Sequence, residues 1–260
     1  MAGTTDLTVT DSTFTGNTAY TYGGGIYAHT VEQLVLSDNR LDGNVATVSN
    51  SGGGGFLSYY AEDLSISNNV FANNEAFFGA GAYADYTYGG SNSDRWTNNV
   101  FQENSAQHTG GALWLANSYY TDFINNHVIG NTAATSSGGI HVTSGYATFT
   151  NNLLAWTQTG AAIHGNDGTS TASTFSHNCW FSNSADVGGT LSASVVSATG
   201  SVTADPSLVN YTADGDSSND DLVPSPGSPL IDAGDPTIYD FDGSVSDIGA
   251  FGGPDSSFVD

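Results

Sequence analysis

A phrase of one apolar residue, two variable positions and an Asn returns seven times along this chain. It reads Phe14-Thr-Gly-Asn17, Leu41-Asp-Gly-Asn44, Phe71-Ala-Asn-Asn74, Phe101-Gln-Glu-Asn104, Val128-Ile-Gly-Asn131, a degenerate Leu154-Ala-Trp-Thr157, and Trp180-Phe-Ser-Asn183. The Asn positions advance by 27, 30, 30, 27, 26 and 26 residues. Self-similarity at that period, without helical spacing, marks a solenoid whose coils complete their core only against their neighbours. Five residues before each phrase stand Val9, Leu36, Ile66, Trp96, Phe123, Phe149 and Phe175. Two further back come Leu7, Leu34 and Leu64, then the polar or small Asp94, Thr121, Ala147 and Ser173. A spacing of two puts alternate side chains on one face of a strand, so these positions stack into inward ladders. The residues that open each phrase form a second ladder on the next wall.

The recurring Asn has a physical use. One strand spacing, about 4.8 Å, separates it from its counterpart in the next coil, close enough for stacked amides to hydrogen-bond along the axis. Thr157 should weaken that ladder locally. Glycine pairs at Gly24-Gly25, Gly54-Gly55, Gly110-Gly111, Gly138-Gly139 and Gly188-Gly189, with Gly79-Ala80-Gly81 as a variant, supply a tight corner. A third strand is expected after each corner, with Ile26, Phe56, Ala82, Ala112, Ile140 and Ala162 facing in. The reading is an all-β, right-handed parallel β-helix of seven or more coils of 26–30 residues. Residues 1–200 carry the coils and 201–260 form an irregular C-terminal closing segment packed on the solenoid.

The alternation of Phe-x-x-Asn with Gly-Gly-Ala-Ile/Leu/Val resembles the repeats of polymorphic outer-membrane proteins and related bacterial surface β-helices. Its best matches are Phe101-Gln-Glu-Asn104 with Gly110-Gly-Ala-Leu113, and Phe14-Thr-Gly-Asn17 with Gly24-Gly-Ile-Tyr27, and it covers roughly residues 7–190. The resemblance implies a secreted or cell-surface bacterial protein with a role in adhesion. The chain departs from that family in having no C-terminal membrane β-barrel. The closing phrases Gly227-Ser-Pro-Leu-Ile-Asp-Ala-Gly-Asp-Pro236 and Ser246-Asp-Ile-Gly-Ala-Phe-Gly-Gly253 resemble the end of many secreted bacterial β-helix proteins, where the segment packs on the last coils. Met1-Ala-Gly3 carries no signal-peptide pattern, so a mature or excised piece of an exported protein is expected.

Charge narrows the partners. The formal net charge is −24, with no Lys and only Arg40 and Arg95 as cations, so nucleic acid and anionic membranes are excluded as partners. No membrane insertion is expected, since no apolar run approaches the length of a span. Cys179 is alone and reads as a packed, inert thiol. Within the acidic tail, Asp240, Asp242, Ser244 and Asp247 place oxygens at near-alternate positions around a glycine and are candidate Ca²⁺ ligands, with Asp232 and Asp235 as helpers. Asp214, Asp216, Asp220 and Asp221 read as a solvated loop.

The strongest functional signal is aromatic. Tyr59-Tyr60, Tyr86 and Tyr88, Tyr119-Tyr120, and Tyr146 fall at similar phase in consecutive coils. Stacked in register they make a stripe along one edge, joined by outward-facing Tyr27, Leu57, Tyr83, Leu113 and His141. A tyrosine offers a flat apolar face and a hydroxyl, which suits a glycan or a surface protein. Two classes of function stay open: a non-catalytic adhesive or structural β-helix, and a polysaccharide hydrolase or lyase working through wall carboxylates such as Asp63, Asp85, Asp94 or Asp122. The first is favoured, because no pair of carboxylates stands out and the two Arg fall at different places in their coils. Self-association, up to a filament, or docking of an upstream domain is a further expectation for the first coil.

Overall fold

The computed structural model describes residues 4–87 and 94–257. About seven turns stack as a parallel solenoid with almost no helix. The two expected ladders form in register. Val9 pairs with Leu36, Leu36 with Ile66, Ile66 with Trp96, and the series continues through Phe123 and Phe149 to Phe175. Phe14, Leu41, Phe71, Phe101, Val128, Leu154 and Trp180 align the same way on the next wall. Phe71 and Phe101 stack at 4.7 Å with their planes 8° apart. Each fully buried Phe or Leu of these ladders contributes about 1.5–3 kcal/mol.

The strands gather into three parallel sheets. A broad sheet of 13 strands holds the first ladder together with the strands that follow the glycine corners; both meet in the single long strand Ile26–Ser37. The Phe14 ladder forms a sheet of seven strands. Between the phrase Asn and the glycine corner lies a sheet of five short strands that the periodicity alone does not reveal. Its inward residues are Ala46, Ala76, Ala106 and Ala133, all buried, where the coil is too narrow for anything larger.

Two columns of Asn, not one, hold the corners. Asn74 donates its backbone N–H and its amide to Oδ1 of Asn104, both at 3.0 Å, and also donates to the Leu41 carbonyl. Its own Oδ1 accepts the backbone N–H and amide of Asn44. The same pattern joins Asn39, Asn69, Asn99, Asn126, Asn152 and Asn178 at the opposite end of the Phe14-ladder strand. Buried amides so satisfied stabilise, whereas a single unpaired one is costly. The residue ahead of each ladder Asn has positive φ, as in Asn68, Asn98, Asn125 and Asn151 in one column and Gly43, Asn73 and Gly130 in the other. At Thr157 the column breaks: its N–H still reaches Asn183 Oδ1, but its hydroxyl has no partner.

The third ladder corrects the expected phase at two places. Ala82 pairs with Leu113, Leu113 with Ile140, and Ile140 with Ile163, so Leu113 and Ile163 hold the positions assigned to Ala112 and Ala162. The corner is built on a positive-φ glycine followed by two small residues and then the inward one: Gly23-Gly-Gly-Ile26, Gly53-Gly-Gly-Phe56, Gly79-Ala-Gly-Ala82, Gly110-Gly-Ala-Leu113 and Gly160-Ala-Ala-Ile163. Gly188-Gly189 is not a corner; it pairs with His164-Gly165 within the broad sheet.

Polar residues in the first ladder also find a use. The buried Asp94 carboxylate accepts the Leu64 N–H at 3.0 Å, and Ser173 Oγ accepts that of Ala147.

Residues 198–202 extend the final coil, with Val202 bridged to Cys179. The chain then returns lengthwise along the molecule as a strap, reaching well past the last coils. Asn151 Oδ1 accepts the Asp235 N–H, Asn125 donates to the carbonyls of Asp247 and Gly249, and Asn98 donates to those of Ala250 and Gly252. Asn68 donates to the Asp255 carbonyl, and Ser257 donates to Asp38. The positive-φ residues just ahead of one Asn column thus read the strap backbone coil by coil. Beneath it the outer face of the seven-stranded sheet is apolar (Val100, Ile129, Leu153, Ala155), and Leu222, Leu230 and Ile248 of the tail cover it.

Candidate functional site

On the outer face of the broad sheet one row runs Tyr27, Leu57, Tyr83, Trp114, His141, His164 in strand register. Trp114 holds the outward place expected of Leu113, which is fully buried. The shift follows from the corner glycine: Gly110 aligns with Gly79, so the inward phase falls one residue later than the glycine pair suggests. The only signal in the sequence is Leu113-Trp-Leu115, where the indole alternates with two core residues.

Tyr83 and Trp114 stack at 4.8 Å, 7° from parallel, and Trp114 meets His141 edge-on. His141 stacks on His164 at 5.1 Å. Burial, with His164 and His108 adding to it, holds the His141 imidazole down at about 3, so this end of the row is neutral. Tyr83 Oη donates to Asp85 Oδ2 at 3.0 Å and Asn117 donates to Oδ1 at 2.9 Å. Burial raises the Asp85 carboxyl above its ordinary value, and those hydrogen bonds partly offset it. Tyr22, Tyr27, Asn50, Leu57, Tyr59, Phe78, Tyr83, Asp85 and Trp114 line a cleft of about 280 Å³.

The tyrosine edge lies at the turn from the corner strand to the next coil. Tyr60 and Tyr86 stack at 4.9 Å and Tyr59 touches both. The hydroxyl of Tyr60 is the main cause that pushes Tyr59 up to about 12. Tyr119 and Tyr120 both pack edge-on against Tyr146. Tyr88 lies outside the described residues. His29, at the place of Tyr59 one coil earlier, extends the cluster to Tyr27.

The acidic turn is built around its own backbone. Asp240 accepts the N–H groups of Asp247 and Gly253, Asp242 accepts the N–H and the hydroxyl of Ser244, and Asp247 accepts the N–H of Asp232 at 2.7 Å. Burial, then the carboxylates of Asp240, Asp232 and Asp242, raise Asp247 to about 6. Among the described residues no three His, Cys, Asp or Glu side chains gather as metal ligands. Asp235 lies instead against His177 at 3.9 Å. Arg40 is bound to Asp42 at 2.7 Å, on a different sheet from Arg95, which pairs across strands with Asp122. Cys179 is fully buried, and burial pushes its thiol up to about 12.

No helix among the described residues is long and apolar enough to cross a membrane. Residues 1–128 match a family model described as right handed beta helix region. Searches of curated proteins and of solved structures find no match to this chain. Coil by coil, from its ladders to its parallel sheets, the chain has the fold of a right-handed parallel β-helix.

Proposed function

We propose that this β-helix is a non-catalytic extracellular or cell-surface protein that adheres to glycan through the aromatic outer face of its broad sheet. The observation that carries this reading is the in-register row Tyr27, Leu57, Tyr83, Trp114 beside the Tyr59, Tyr60 and Tyr86 cluster. Rings fixed on a rigid sheet bind with little loss of side-chain entropy, and each pairs an apolar face with a polar tip. A glycan is favoured over a protein partner because Asp85, Asn50 and the tyrosine hydroxyls sit among the rings, which suits a polyhydroxylated ligand.

An array of immobilised glycans with a parallel assay for new reducing ends tests it. Binding without product is the expected result. Release of reducing ends replaces adhesion by a hydrolase or lyase, and failure to bind any glycan removes the reading altogether. Calcium is decided separately, by melting with Ca²⁺ and with chelator: a higher midpoint with the ion, lost in Asp247→Asn, assigns it to the Asp240–Asp247 turn. Equal midpoints take calcium out of the account.

A further inference from the structure

The aromatic row has one gap. Adjacent rungs of a parallel sheet are about 4.8 Å apart, so rings on neighbouring rungs fill the space between them, as Tyr83 and Trp114 do. Tyr27 and Tyr83 are two rungs apart, with Leu57 between them in register. Leu57 is buried and stays low. Alongside, Tyr22, Gly52 and Phe78 bridge in parallel, and Gly52 has no side chain to raise the floor. A Cβ on Gly52 would lie 2.1 Å from Tyr83 Cδ1 and 3.2 Å from Leu57 Cδ1. Glycine at this position therefore lets the Tyr83 ring lean over onto the floor beside Leu57, which narrows the gap from that side.

One wall of the slot is Tyr27 with Tyr22, their rings 5.9 Å apart. Tyr83, backed by Trp114, is the other. Two rungs span about 9.6 Å. That is the backbone spacing; between the rings lies the cleft of about 280 Å³, with Tyr27, Leu57, Tyr83 and Asp85 in its lining. At the polar end Asp85 accepts hydrogen bonds from Tyr83, Asn117 and the Tyr86 backbone and keeps one lone pair for a ligand hydroxyl. A carboxylate in a chain of net charge −24 repels uronic or sulfated sugars.

We propose that the Tyr27–Leu57–Tyr83 gap is a subsite for one neutral pyranose ring, held between the two tyrosines with one hydroxyl donating to Asp85. This rests on the glycan reading above and names the sugar class. The test is calorimetric titration of the whole protein with cellotetraose, xylotetraose and maltotetraose, against tetragalacturonate. At least one neutral tetrasaccharide should bind 10-fold or more tightly than the acidic one. Leu57→Phe, which lifts the floor by continuing the aromatic ladder, should weaken that binding at least 10-fold with the melting midpoint retained; Tyr27→Ala, an exposed position, should do the same. Neutral sugars that all fail to bind, or Leu57→Phe binding as wild type does, overturn the subsite. Glycan capture on the array that survives Leu57→Phe overturns the subsite alone, whereas an array blank for wild type sinks the wider reading too.

Discussion

At the scale of single residues, the buried amides decide whether a coil closes. Asn99 Oδ1 accepts both the N–H and the amide of Asn69, and its own amide reaches the Ile66 carbonyl. Asn99→Ala removes the partner of the Asn69 N–H and of the Ile66 carbonyl, at about 1–3 kcal/mol each, while the Asn69 amide keeps the Leu36 and Ser67 carbonyls. A loss of at least about 2 kcal/mol is expected in urea unfolding. Asn17→Ala, at the exposed start of the other column, should cost under about 1 kcal/mol. Similar losses at the two sites would mean that the columns are not continuous chains of hydrogen bonds. Cations are so few that the charges contribute little beside this: Arg40 and Asp42 form a part-exposed pair, worth about 0–1 kcal/mol.

At the scale of the strand and its corner, glycine position sets the phase. Gly53 has φ +65° and a Cβ there would lie 2.3 Å from the Phe56 carbonyl, whereas Gly43 at φ +63° has open space around it. Gly43→Ala meets only the left-handed penalty, about 1–2 kcal/mol. Gly53→Ala adds a backbone clash and should exceed about 3 kcal/mol, read as a shift in thermal or urea midpoint; equal shifts would refute the corner geometry. The same element shows how far sequence reasoning reaches. Both large-residue ladders were legible, because Trp96, Phe123 and Phe101 mark the inward phase by size. After Gly110-Gly-Ala112 three bulky residues follow one another, Leu113, Trp114 and Leu115, so size alone does not mark which of them faces in. The second Asn column is written in the sequence as well, since Asn39 and Asn44, Asn69 and Asn74, and Asn99 and Asn104 repeat at a fixed offset of five. The cleft is not legible for another reason: Gly52 acts through the space it leaves to the Tyr83 ring one coil on. Asp240, Asp242, Ser244 and Asp247 did fall in one turn, but local spacing could not say that backbone N–H groups already occupy them.

For the molecule as a whole, the strap ties the coils together from outside. Its path was not readable, because strands such as Leu153–Ala155 are apolar on both faces and show no alternation. His127 lies under it, fully buried, and accepts the Ala250 N–H through Nδ1 at 2.9 Å. Burial holds its imidazole down at about 3, against an ordinary 6.5. The unfolded chain therefore takes up the proton first, and this contribution falls as pH drops from 6.5 toward 3, by up to about 1.4 kcal/mol per pH unit. Asp247, raised to about 6, acts the other way: its burial destabilises at neutral pH and is relieved as pH falls from 6 toward 4. The difference between wild type and His127→Gln isolates the histidine. The stability advantage of wild type should shrink by roughly 1 kcal/mol per unit between pH 6 and pH 4 in urea unfolding; parallel curves would show that protonation of His127 does not loosen the strap. The lengthwise return of the strap has a mechanical consequence. Residue 257 is fastened beside Asp38 and Asn68, next to the strand that begins at Thr4, so the two ends of the described chain meet at one end of the rod. Tension applied between them would be borne by the first few rungs, while the distal rungs, carrying His164 and Trp180, would stay slack.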